Sequence, residues 1–102
     1  MSKFGTQVTF TTQPGQRDRL LAILLEAGAV MENVKECEVY LVHVSDTEAD
    51  TIYVTEVWGS QEAHKASLDE EATKASIQEA MPLIAGVEAV RFRPVGGKGL
   101  TT

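Results

Sequence analysis

Two neighbouring stretches, VKECEVYLVHVS (34–45) and TIYVTEVWG (51–59), alternate like strands but carry apolar residues on both alternating faces. In the first, Cys37, Val39, Leu41 and His43 fall on one side, and Glu38, Tyr40, Val42 and Val44 on the other. In the second, Ile52, Val54, Glu56 and Trp58 oppose Tyr53, Thr55 and Val57. Neither strand has a plainly wet face. An antiparallel sheet with one solvated face shows a clean polar alternation there, and large exposed apolar sheets are rare in monomers. Both faces of this strand pair therefore need a cover.

The remaining elements say what the covers are. FGTQVTFTT (4–12) alternates and reads as a first strand, and QPGQ (13–16) as a turn. From Gln16 to Met31, Leu20, Leu24, Ala27 and Met31 recur at helical spacing, widened by Leu21, Ile23 and Leu25, with Gly28 near the end. After strand three, Ser60 is a good N-cap for a short helix over 61–68. Asp69 can cap a second helical segment, with Glu70 and Glu71 in its first turn where the helix dipole favours acids. That segment reaches Ile84, with Pro82 kinking or ending it and Gly86 as the stop. VEAVRFRPV (87–95) reads as strand four, and residues 96–102 as a flexible tail.

The order is β-α-β-β-α-β, so the expected class is α+β: a ferredoxin-like domain over residues 1–95 with a four-stranded antiparallel sheet. Its helices can cover one side of that sheet. A second copy, packed sheet to sheet about a two-fold axis, is the simplest cover for the other. The expectation is a homodimer.

Composition removes several functions. Nine Lys and Arg are scattered among fifteen Asp and Glu, for a net charge of -6. A protein that binds a nucleic-acid backbone gathers basic residues on one face. No apolar run approaches the ~20 residues of a membrane span, and MSKFGTQVTF lacks the apolar core of a signal peptide. A cytoplasmic location is expected. With a single Cys and two His, neither an intrachain disulfide nor a protein-only zinc site is expected. GGKG (96–99) lacks the strand-to-helix context of a phosphate loop.

The residues able to carry chemistry cluster around the end of strand three. Glu56 and Trp58 are two apart and share a face. His64 and Leu68 are four apart and share a helix face. If both faces look inward, an indole N–H, an imidazole and a carboxylate meet between sheet and helices, where a His–Glu pair can act as a general base. The same residues have plainer readings: Trp58 as core filler, His64 as a hydrogen-bonded core histidine, Glu56 as the partner of Arg91 or Arg93. Tyr40 and Tyr53 either line a cavity or pack on each other across strands. Cys37 and His43, six residues apart on one strand face, are separated by about 20 Å at ~3.3 Å per residue, too far to act as a dyad.

The stretch VTEVWGSQEAHKASL resembles the antibiotic biosynthesis monooxygenase family of dimeric α+β barrels, whose pattern there is Glu-x-Trp or Glu-x-Tyr at a strand end, a turn, and a helix opening with Glu-Ala. Glu56, Trp58, Glu62 and Ala63 match it. The element order agrees over residues 4–94, and MPLIAG…PVGGKGL is similar to a quinol monooxygenase subgroup. The resemblance implies a cofactor-free oxygenase with no metal, whose partners are a small electron-rich aromatic (quinol, phenol or anthrone) and O2. For that chemistry His64 is the candidate base, Trp58 a wall or donor to substrate, Glu56 an orienting group or the partner of an arginine, and Val54, Ser67 and Leu68 the substrate-binding positions. Ser67 and Glu71 stand where many members carry histidines, and Val54 where some carry a polar residue. The heme-degrading branch carries its iron-ligating histidine in the region where this chain has Ser67 and Leu68, so heme degradation is not expected. Two alternatives stay open: a non-catalytic small-molecule-binding dimer, and an isomerase that moves a proton on a small hydroxy-ketone.

Overall fold

A computed structural model describes residues 2–100. Residues 1, 101 and 102, the first of the expected domain and the last two of the expected tail, lie outside the described residues. The elements are β1 (Phe4–Thr12), α1 (Arg17–Met31), β2 (Cys37–Val44), β3 (Thr51–Trp58), α2 (Gln61–Leu68), α3 (Glu71–Ala80), a 3₁₀ turn (Met81–Leu83) and β4 (Ile84–Phe92). The strands form one antiparallel sheet in the order β2-β3-β1-β4. This is the ferredoxin-like α+β arrangement, with the second helix of the unit broken into α2 and α3. No helix among the described residues is long and apolar enough to cross a membrane.

Local chemistry accounts for the helix ends. The Ser60 hydroxyl accepts a hydrogen bond from the Ala63 N–H at 3.1 Å and so starts α2. Asp69 closes α2 rather than opening α3, whose N-cap is Glu70. Pro82 has no N–H to continue a helical ladder, so α3 stops at Ala80 and one 3₁₀ turn delivers the chain into β4. Strand four therefore begins at Ile84, three residues earlier than its pattern predicts, and Gly86 is a strand residue paired with Thr11. Strand two begins later than expected, at Cys37, because a turn occupies 34–36 and the Cys37 N–H bonds the Val34 carbonyl.

Register sorts the faces. Phe4, Thr6 and Phe10 of β1 stand opposite Trp58, Glu56 and Ile52 of β3 and look toward the helices. Leu20 of α1 drops onto this face, where it is fully buried with Ile52, Val54, Ala80 and Leu83. The Leu, Ile and Val side chains among them each contribute about 1.5–3 kcal/mol through burial. The opposite face carries Leu41, Tyr53, Val57, Val90 and Phe92, interspersed with Gln7, Thr9 and Thr55. On it the Phe92 ring lies across Gly5, where a Cβ would collide with the ring. Only glycine admits that ring, which helps to bury the neighbouring Val57.

One irregularity matters. The ladder between β2 and β3 shifts between Cys37 and Val39, so that Cys37 pairs with Trp58 and Val39 with Val57. The bulge turns Cys37 to the helix side and leaves His43, paired with Tyr53, on the other. The shared face predicted for Cys37 and His43 is thus incorrect, because an inserted residue resets the alternation between them.

Candidate active site

A cavity of about 310 Å³ lies between the helices and the sheet. At one end β3 supplies Glu56 and Trp58. The indole N–H donates to Glu56 Oε1 at 2.9 Å, which satisfies the only polar atom of a side chain that is otherwise fully buried. The carboxylate is therefore engaged by Trp58 and not by Arg91 or Arg93. Arg91 instead lies over the Phe4 ring, 5.8 Å from its centre.

The stretch from Ser60 to His64, whose N–H bonds the Ser60 carbonyl, makes one helical turn, which folds the imidazole back toward the strand end. There it stacks on Phe4 with ring centres 4.9 Å apart, and meets Trp58 edge-on at 5.6 Å. Neither ring nitrogen of His64 has a hydrogen-bond partner among the described residues, and the side chain borders the cavity. Ser67 Oγ donates to the His64 carbonyl at 2.6 Å, which pins the turn that carries the histidine.

Glu56, Trp58, His64, Ser67 and Leu68 all line the cavity. Val54 does not: it sits in the core against Leu20 and Ile52. Tyr40 joins the lining because register places it directly opposite Glu56. Its ring lies 3.0 Å from the point where a Cβ on Gly28 would sit, so the glycine near the end of α1 makes room for it. Tyr53 points to the other face, and the two tyrosines do not pack together. Burial, then the Glu56 charge, then Cys37 push the Tyr40 hydroxyl well above the usual phenol range. It is a proton-bearing donor at the polar end of the cavity.

The same surroundings quiet the thiol. Burial first, then Glu56 and Glu38, push Cys37 from 9.0 up to about 11. Two units remove about 99% of the thiolate at pH 8, and thiolate is the nucleophile. Iodoacetamide is expected to alkylate Cys37 about a hundredfold more slowly in the folded protein than in urea. Equal rates would contradict this placement. Lys3 fixes the neighbouring bulge by donating to Glu38 Oε1 at 2.7 Å. The second histidine, His43, is bonded to Thr55 Oγ1 at 3.1 Å on the opposite face. Among the described residues no three His, Cys, Asp or Glu side chains gather where they could hold a metal ion.

Comparison with known proteins agrees with this architecture. The sequence profile of the family described as antibiotic biosynthesis monooxygenase matches residues 4–79. A crystal structure from Chloroflexus aurantiacus, assigned to the antibiotic biosynthesis monooxygenases, is 39% identical with a TM-score of 0.89, over 98% of this chain and 100% of that one. A Caulobacter crescentus structure with the same assignment is 25% identical with a TM-score of 0.86, over 93% of this chain and 92% of that one. A Mycobacterium tuberculosis protein at 16% identity shares the fold, with a TM-score of 0.84 over 95% of this chain and 99% of that one. No curated protein matches the sequence. The chain belongs to the antibiotic biosynthesis monooxygenase family.

Proposed function

We propose that the protein is a cofactor-independent monooxygenase that oxidises a small quinol or related phenol with O2. One observation carries this reading: a largely apolar cavity whose polar groups, Tyr40, Glu56, Trp58 and His64, gather at one end. His64 takes the proton of a quinol hydroxyl. The quinolate gives one electron to O2, and the semiquinone and superoxide join through a new C–O bond at a ring carbon. His64 returns its proton to the peroxide. The ring C–H proton then leaves, the O–O bond breaks, and the departing oxygen becomes water while a carbonyl forms. One oxygen atom enters the hydroxyquinone and one enters water, and the quinol supplies all four electrons. Apolar walls favour this course by excluding bulk water from the radical pair. The cavity-free sheet face is proposed as the contact between two copies in a homodimer.

A second reading is favoured by the Trp58–Glu56 bond, which leaves the indole N–H no donor capacity for a substrate. It is a small-molecule-binding dimer without chemistry. The two separate under air with a panel of hydroquinones and anthrones. The oxygenase consumes O2 and places one atom of ¹⁸O per product molecule when supplied with ¹⁸O2. Quenching of Trp58 fluorescence by these compounds, without O2 uptake, would leave only the binding reading.

A further inference from the structure

We propose that the substrate is a single-ring quinol or phenol bearing an extended alkyl or isoprenoid chain, its ring at Glu56 and His64 and its chain running toward the edge formed by β4. The inference deepens the proposed function and rests on it for the chemistry of the ring, though not for the chain. Its basis is the shape and polarity of the cavity. The lining reaches from Trp58, paired with Phe4, to Phe10, paired with Val87. Those rows lie six residue steps apart along β1, about 20 Å at ~3.4 Å per residue. The space is therefore a slot along the strands, far longer than one aromatic ring.

Polarity falls along that slot. At the Trp58 end stand the carboxylate, imidazole and phenol already described. α3 runs away from them; its lining residues are Ala72, Thr73, Ser76, Ile77 and Ala80, with both hydroxyls before the final apolar pair. α1 contributes only apolar side chains to the lining. At the far end Met81 and Val87 border the cavity while remaining 64% and 55% exposed, so the slot opens there through a greasy mouth. The helices pack on β2 and β3, which leaves the β4 side of this face uncovered. A lone ring at the polar end would leave the apolar length without contact atoms, a loss of dispersion that a chain recovers. A charged or polar tail would find no partner along α1.

The test uses 4-alkylphenols from methyl to decyl, titrated under argon so that no oxidation is required, with Trp58 as the sole tryptophan reporter. Each methylene is expected to tighten binding about three- to fourfold, until the chain reaches the mouth and the gain stops. Val87→Glu, at a position that is mostly exposed, is expected to weaken the long members at least tenfold and to leave 4-methylphenol unchanged. Affinity independent of chain length would overturn the proposal, as would a gain that persists without a plateau and is equal in Val87→Glu. The oxygenase reading is checked separately by O2 uptake with alkyl hydroquinones. A chain-length effect without uptake removes the oxygenase reading and keeps the ligand class. Equal uptake and affinity at every length does the reverse.

Discussion

His64→Ala is expected to lower kcat for quinol oxidation by about 10²–10⁴-fold, the range general-base catalysis contributes, with a much smaller effect on KM. The expectation follows from placement. The imidazole borders the cavity, has no hydrogen-bond partner on either nitrogen among the described residues, and is held in one orientation between Phe4 and Trp58. It can take a substrate proton without first breaking a bond to the protein. Alanine also removes a ring from the aromatic cluster, so loss of activity alone would not separate chemistry from packing. Two further measurements do. His64→Phe restores the stack without a base and should be as inactive as the alanine variant. Free imidazole added to His64→Ala should recover part of kcat, since the vacated space adjoins the cavity. A His64→Phe variant with near-normal kcat would show that the proton goes elsewhere, with Glu56 the next candidate, because only its Oε1 is bonded to Trp58.

The parts of this site that the sequence made legible depend on short, fixed spacings. Glu56 and Trp58 are two apart on a strand, and Ser60 caps a helix whose first turn must carry His64 back over the strand end. Both are local rules, and the structure brings the three residues together. The bulge at Cys37–Val39 is a different matter. An inserted residue shows in a sequence as a break in polar alternation, and β2 has apolar residues on both faces, so no break appears. Tyr40 is ambiguous in the sequence for the same reason: its face depends on register with β3, and so does the side on which Tyr53 lies. Val54 shares the face of Glu56 and Trp58, but α1 lowers Leu20 onto it and fills the space. A face is readable from alternation, whereas the packing above it depends on where a distant helix settles. The early start of β4 has a similar cause, since the stop came from Pro82 acting through a single 3₁₀ turn and not from Gly86.

The double variant Leu41→Glu, Val90→Glu is expected to sediment at the 11.1 kDa of one chain, and the unaltered protein, as the proposed homodimer, at twice that mass. Leu41 and Val90 lie on the two outer strands of the face away from the helices, 53% and 63% exposed, with half-exposed Phe92 beside them. Four strands about 4.8 Å apart and eight residues long present a surface of roughly 20 by 27 Å. That is commensurate with the roughly 800 Å² of accessible surface each partner contributes to a stable interface. Under two-fold symmetry each substitution enters the contact twice, and burying an unpaired carboxylate costs several kcal/mol. Four such charges should weaken association by more than a thousandfold. Both side chains point away from the cavity, so the separated subunits should still bind a quinol at the Glu56–His64 end. Retained binding in the monomer would assign the two sheet faces separate tasks, one to hold the ligand and one to hold the twin. An unaltered protein that sediments as a single chain at micromolar concentration would leave Leu41, Val90 and Phe92 bathed in water and withdraw the dimer.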